Sequence, residues 1–311
     1  MLDRSKTQAV MDSVNTVIKG KQNVVRKVLA ATIAGGHILM EDIPGVGKTT
    51  LAVSMSRALG LDYNRVQFTP DVLPSDITGY SLYDKNSGTM IYQKGAILCN
   101  LFLADELNRA TSRTQSALLQ AMEEGEVTVD NSTYPVPQPF IVIATQNPAG
   151  AKGTQLLPDS QLDRFMLRLT MGYPAHADEI EMVRRRQGGI SAESVRQIVT
   201  REELLHLLHE VDQVYVKDSL IEYIVTLCEK TRDNSHILQG ASPRASLALT
   251  SLAKAAAWLQ KRDFVLPHDV RFNFYDCVEH RLIWQPEVSD PVARASVLSD
   301  ILKAVKTPAI Q

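Results

Sequence analysis

From residue 37 to about 171, short apolar runs alternate with segments whose apolar residues recur at helical spacing, the pattern of parallel strands joined by crossover helices. Five runs are predicted to be strands: His37–Met40, Arg65–Phe68, Leu101–Asp105, Phe140–Thr145 and Phe165–Thr170. Several are apolar at nearly every position, as strands covered on both faces are, so the sheet should lie between helical layers. Two segments interrupt the alternation. Residues 71–97 carry turn signals such as Ser87-Gly88 between strand-like pieces, and residues 126–139 read as a hairpin, with Glu126–Val129 and Tyr134–Val136 flanking Asp130-Asn131-Ser132.

Past Tyr173-Pro174 the strand-like runs cease and the apolar spacing becomes helical. The stretch Arg184–Ser194, with Gly188-Gly189, is helix-poor and is expected to link a core unit (1–185) to a smaller all-α unit (186–311). There Thr200-Arg201-Glu202-Glu203 fits the capping box S/T-x-x-E, followed by Leu204, Leu205, Leu208 and Val211 at helix spacing. Three more stripes follow: Leu220, Ile221, Ile224, Leu227 and Cys228; then Ala245, Ala248, Leu249, Leu252, Ala256 and Leu259; then Val270, Phe274, Cys277 and Val278. Each should be a face packed on its neighbours.

A length of 311 residues suits two domains, and 44% hydrophobic with 22% charged residues is the usage of folded proteins. The net charge of -2 leaves no overall basic field to draw the chain to nucleic acid or anionic membrane. The run from Val28 to Met40 is too short for a membrane span and is broken by Thr32, Gly35, Gly36 and His37, and the start MLDRSKTQAV lacks a secretory pattern. Cys99, Cys228 and Cys277 lie far apart, which argues against a disulfide framework or a C-x-x-C metal site and points to the cytoplasm.

The candidate chemistry begins at Gly45-Val46-Gly47-Lys48-Thr49-Thr50, between the strand His37–Met40 and a helix expected over Leu51–Leu59. A phosphate-binding loop needs glycines so that backbone N–H groups can curl around the phosphates, a lysine for the β and γ oxygens, and a hydroxyl that holds Mg²⁺ at the helix mouth. Gly45, Gly47, Lys48 and Thr49 supply these, with Pro44, Val46 and Thr50 completing the loop. The general pattern G-x-x-x-x-G-K-[ST] asks for glycine at 42, where this chain has Asp42.

A second motif agrees with the first. The apolar run Leu101–Ala104 ends in Asp105 and Glu106, one carboxylate for the Mg²⁺ shell and one to orient or deprotonate a water. The second carboxylate favours hydrolysis over transfer, and the absence of an N-K-x-D string to read guanine argues against GTP. Asn147, in Ala144-Thr145-Gln146-Asn147-Pro148, follows a strand at the end that faces the ligand crevice, where it could touch the γ-phosphate or the water; on spacing alone an Asn-Pro turn is the better explanation. Arg109, Arg164 and Arg244 are candidates for a guanidinium that meets the charge developing on a γ-phosphate, although spacing alone does not separate them from surface arginines.

In this order the motifs resemble AAA+ ATPases and, more narrowly, the MoxR family. The resemblance runs from Gly20 through Gly35–Thr49 to His280-Arg281-Leu282, and is sharpest at Phe68–Asp76, Ala104–Ala110, Ala144–Pro148 and Leu157–Phe165. It implies an α/β core with a five-stranded parallel sheet of order 5-1-4-3-2 and a smaller all-α lid. Residues 71–97 would be the helix-2 insert and 126–139 the hairpin before sensor 1, both turned toward a central pore. By the same resemblance Asn147 is sensor 1, Arg164 is the arginine finger offered to a neighbouring subunit, and Arg244 is sensor 2, reaching the nucleotide of its own subunit. Val17, Ile18 and Gly20 would contact adenine, and Glu41-Asp42-Ile43-Pro44-Gly45 is a familiar form within the family.

The resemblance further implies a homo-oligomeric, hexameric ring that uses ATP and Mg²⁺ to remodel or activate a protein client, in some cases by metal or cofactor insertion. A separate protein with a von Willebrand factor A domain would be its partner. A DNA motor or loader should carry a basic pore hairpin, whereas Glu126, Thr128 and Asp130 make this one acidic to neutral. A switch without turnover would not need Lys48, Asp105, Glu106 and Asn147 together, and a metal-chelatase subunit shares the architecture.

Overall fold

The computed structural model describes residues 4–147 and 157–309; Pro148 of the Asn-Pro motif lies outside them. The chain opens with two helices, α1 (Ser5–Val17) and α2 (Gln22–Ile33), whose apolar faces are buried. The core then runs β1 (Ile38–Glu41), α3 (Lys48–Ala58), β2 (Tyr63–Gln67), α4 (Pro74–Thr78), β3 (Gly79–Asp84), β4 (Thr89–Lys94), β5 (Leu101–Asp105), α5 (Ser112–Glu124), β6 (Glu126–Val129), β7 (Ser132–Pro135), β8 (Ile141–Gln146), α6 (Asp159–Leu162) and β9 (Leu167–Leu169).

Strands β1, β2, β5, β8 and β9 form one parallel sheet, β2-β5-β8-β1-β9, which is the expected order 5-1-4-3-2 read from the other edge. Side-chain alternation divides the core cleanly. Ile38, Met40, Leu101, Leu103, Ile141 and Ile143 pack with α1, α2 and α3 on one face, while Leu39, Phe102, Ala104, Val142 and Ala144 pack with α5 and the inserts on the other. Double coverage fails only at the edge strand β2, where Asn64, Arg65 and Gln67 are exposed.

Both inserted segments are hairpins. β3 pairs antiparallel with β4 and β6 with β7, and the second closes on Asp130 and Asn131, both at positive φ, so Ser132 belongs to the strand rather than to the turn. Tyr92 of β4 stacks on Tyr134 of β7 at 3.8 Å between ring centroids, joining the two inserts.

Helix α7 (His176–Gln187) follows the last core strand and lies beside α1, Arg185 donating to the Thr16 carbonyl at 2.7 Å, and the second unit comprises α8 (Arg201–Asp212), α9 (Asp218–Arg232), β10 (Ile237–Gln239), α10 (Pro243–Leu259), α11 (Pro267–Val278), β11 (Ile283–Trp284) and α12 (Pro291–Ala304). This part of the chain departs from expectation in three ways. Helix α7 continues to Gln187, so the helix-poor stretch is shorter than Arg184–Ser194. The lid is not wholly helical, because β10 and β11 form an antiparallel ribbon. Leu205 and Ile221 face solvent, their places on the buried faces taken by Leu207 and Tyr223. The Thr200 box forms as expected: Thr200 Oγ1 accepts from Glu203 N at 3.2 Å and Thr200 N donates to Glu203 Oε2 at 3.0 Å. Helices α8 and α10 pack on α2, so the lid's apolar core is continuous with that of one face of the sheet. No helix among the described residues is long and apolar enough to cross a membrane.

Candidate nucleotide site

The loop after β1 turns on Gly45 and Gly47, at φ +86 and +100. No atom lies within 4 Å of where a Cβ on Gly45 would stand, and the nearest to one on Gly47 is 3.8 Å away, so backbone conformation and not crowding demands glycine here. Lys48 then opens α3, which puts the backbone N–H groups of Lys48, Thr49 and Thr50 at a helix N-terminus. Lys48 Nζ donates to the carbonyls of Asp42 (2.7 Å) and Ile43 (3.3 Å). Burial lowers its pKa, while Asp42, Asp105 and Glu106 pull the other way.

Asp42 is no defect in the motif. One carboxylate oxygen accepts from Ile43 N at 2.9 Å, and the other from Met171 N and Gly172 N at 2.6 and 2.7 Å, which fastens the loop to the segment after β9. Beside the loop lies a cavity of about 640 Å³ lined by Val17, Thr49, Thr50, Val53, Val183 and Ile190 among others. Ile18 is buried below it, with its Cδ1 3.9 Å from the Cβ position of Gly47. At Gly20, φ +68, a Cβ would stand 2.1 Å from the Asp178 carboxylate, so only glycine allows the turn between α1 and α2 to meet α7.

Across the crevice Asp105, nearly buried at the end of β5, is fully engaged. Oδ1 accepts from Thr145 Oγ1 at 2.6 Å, and Oδ2 pairs with Arg65 at 2.6 Å. Thr145 Oγ1 also accepts from Glu106 N at 2.8 Å, so one hydroxyl sets both acids. Glu106 sits at φ 56, a left-handed conformation rare outside glycine and typical of constrained functional residues. Its carboxylate receives Arg109 at 3.0 Å and Asn147 Nδ2 and Gln67 Nε2 at 3.4 Å each. Burial alone would raise its pKa, but these hydrogen bonds and the Arg109 charge outweigh it and hold the carboxyl below its ordinary range. Asn147 is itself held by Asn108, which donates to its carbonyl at 3.1 Å.

Residues 37–167 match the ATPase family associated with various cellular activities (AAA), and residues 229–301 match the AAA lid domain. The chain is 42% identical to the uncharacterized protein YeaC of Bacillus subtilis, over 96% of this chain and 93% of that one. It is 34% identical to the chaperone MoxR1 of Mycobacterium tuberculosis, over 96% of this chain and 81% of that one. A crystal structure of a candidate ATPase from Cytophaga hutchinsonii superposes with a TM-score of 0.91 at 37% identity, covering 98% of this chain and 96% of that one. The chain belongs to the MoxR family of AAA+ ATPases.

In this MoxR-family chain the two remaining arginines stand away from the phosphate loop. Arg164 and Arg244 line a cavity of about 320 Å³ together with Gly35, Gly36 and His37, which precede β1, whereas the phosphate loop follows β1. At about 3.3 Å per residue, β1 alone separates the two ends of the sheet by on the order of 15 Å. Both guanidiniums meet the same carboxylate, Glu123 near the end of α5: Arg164 at 3.0 Å and Arg244 in a shorter pair. In this single copy Arg244 thus stands at the end of the sheet away from the phosphate loop, where the resemblance implied a place beside the nucleotide, because the lid rests against α2 and carries the start of α10 to that end.

Three residues of the site carry no motif of their own in the sequence. Arg65 acts through Asp105 and Thr145 through both Asp105 and Glu106, from strands that pair with β5 on either side, and Asp42 acts through a segment about 130 residues away. The one local signal was a hydroxyl and an acid ending apolar strands.

Proposed function

We propose that the chain is a Mg²⁺-dependent ATP hydrolase that works as a homo-oligomeric ring and couples hydrolysis to remodelling of a protein client. The observation that carries this is the division of groups between the two ends of one sheet: Lys48, Thr49, Asp105, Glu106 and Asn147 at one, Arg164 and Arg244 at the other. A copy so built completes its neighbour's site and not its own. Arg164 and Arg244 are then both offered in trans, which revises the cis role expected of Arg244.

The donor set fits the nucleotide. The N-terminus of α3 and Lys48 would hold the phosphates, and the cavity lined by Val17 would take the adenine; Ile18 and Gly20 do not line it. Thr49 Oγ1, one residue into α3, would ligate Mg²⁺; Asp105, with both oxygens already engaged, suits contact through the ion's water shell. Bound there, Mg²⁺ would neutralise charge on the β and γ oxygens. Glu106, kept ionised by Arg109 and Asn147, would orient the water and accept its proton, while Asn147, hydrogen-bonded to that carboxylate, would meet the γ-phosphate or the water.

A protein client is favoured by the β3–β4 insert, where Leu73, Tyr80, Leu82, Tyr83, Met90 and Ile91 are exposed, and by the acidic to neutral tip of the β6–β7 hairpin. A six-membered ring, a von Willebrand factor A domain partner and metal or cofactor insertion rest on the family relation. The three buried free thiols suit the cytoplasm.

The test is complementation. Arg164→Ala and Glu106→Gln should each be nearly inactive alone and recover turnover when mixed, since an Arg164→Ala copy keeps its own Lys48 and Glu106 and borrows an intact finger. If exchange of labelled subunits is seen and the mixture stays inactive, the shared site is wrong.

A further inference from the structure

The turn that carries Arg164 is gripped by the lid on both sides of that residue. Arg281, whose side chain is 3% exposed, donates from Nε to Asp163 Oδ1 at 2.9 Å. One terminal nitrogen reaches the carbonyls of Asp163 (3.2 Å) and Phe165 (2.8 Å), and the other the carbonyls of Met166 (3.4 Å) and Cys277. All five guanidinium N–H groups thus have acceptors, four of them in residues 163–166. His280 Nε2 adds a contact to the Phe165 carbonyl at 3.0 Å. Asp163 is shared with the start of α10, where Ser242 Oγ donates to its Oδ2 at 2.9 Å while accepting from Arg244 N at 3.2 Å. One carboxylate therefore ties the residue before Arg164 to the cap that sets Arg244.

We propose that Arg281 and Asp163 are positioning residues for catalysis in the neighbouring subunit, fixing Arg164 and Arg244 as a single two-guanidinium clamp whose placement the lid controls. This rests on the trans role of Arg164. The physical need is clear: each arginine carries about 2 kcal/mol of rotamer entropy, and a misplacement of about 1 Å at a reacting centre can cost roughly 10²-fold in rate. A buried fork that braces the turn from behind supplies order, while the Arg164 guanidinium itself remains part-exposed and is held in this single copy by Glu123 at 3.0 Å and the Leu119 carbonyl at 2.6 Å, contacts it would exchange for a neighbour's phosphate.

Arg281→Lys keeps the charge but offers three donors in place of the five-pronged fork. In assembled rings, checked by light scattering, its kcat should fall about 10- to 100-fold, with KM for ATP within about twofold because the clamp acts on the transition state. Mixing it with Glu106→Gln, whose clamp is intact, should restore turnover at sites in the Arg281→Lys copies, which a defect in their own site or in stability would not allow. If Arg281→Lys does not assemble, Ser242→Ala, which leaves all five Arg281 bonds in place, should show the same pattern more weakly. Near-parental kcat in the variant that assembles, or loss of kcat without recovery in the mixture, overturns the positioning role. Full activity of Arg164→Ala alone instead overturns the trans finger on which it rests.

Discussion

Glu106 and Lys48 are separable by when each is needed. Lys48 meets phosphate in the ground state, so Lys48→Ala should weaken nucleotide binding, whereas Glu106→Gln should bind ATP as the parent does and lose hydrolysis; equilibrium titration beside steady-state turnover distinguishes them. Arg109 gives the Glu106 carboxylate its shortest side-chain hydrogen bond and an adjacent positive charge, both of which hold its pKa low, so Arg109→Ala should raise that pKa and move the acid limb of the kcat profile to higher pH. An unmoved limb would mean another group limits the rate. Gly47→Ala has room for its methyl but not the backbone, and should cost about 1–2 kcal/mol, seen as a lowered melting midpoint together with weaker ATP binding. These residues were legible in the sequence because each does its work within a few positions of its neighbours. Asp42, Arg65 and Thr145 were not, since their partners come from other strands and a motif scan registers only what is adjacent in the chain.

At the scale of elements, five strands were readable with ends within two residues; burial on both faces leaves an apolar run in most of them, whereas β2, exposed at Asn64, Arg65 and Gln67, has none. Helix faces were readable in outline, yet Leu205 and Ile221 show that leucines and isoleucines at plausible spacing can sit at the margin of a stripe and meet water. The ribbon β10–β11 is too short to leave a period, and α7 hides its end because no residue of it is buried, so its arginines look like a linker. The β3–β4 hairpin carries apolar side chains, Leu82, Tyr83, Met90 and Ile91, that pair across its two strands and remain exposed to solvent. Replacing Leu82 and Tyr83 with Ser should change stability by no more than about 0.5 kcal/mol and leave basal turnover intact, while abolishing any acceleration of turnover by client; calorimetry and stimulated hydrolysis measure the two. Loss of basal turnover would move this hairpin into the nucleotide machinery.

For the whole molecule, the joint between core and lid is a buried polar seam, and one member of it responds to acid. His280 is 4% exposed, and burial, then the charges of Arg281 and Arg168, push its pKa well below the ordinary 6.5. The unfolded chain takes up a proton on this residue near pH 6.5 while the folded chain does not, so its contribution to stability is complete above that pH and declines below it, by at most about 1.4 kcal/mol per pH unit. Melting midpoints should fall as pH drops from 7 to 5, and His280→Gln should flatten that fall; parallel curves would assign the acid sensitivity elsewhere. The sheet's polarity has a numerical consequence of its own. If every working centre needs Glu106 from one copy and Arg164 from the next, a copy lacking Glu106 silences one centre, while a copy lacking both residues silences two. In mixtures with intact protein, turnover should then decline in proportion to the intact fraction for the single variant and as its square for the double variant, a difference in curvature that holds whatever number of copies closes the circle.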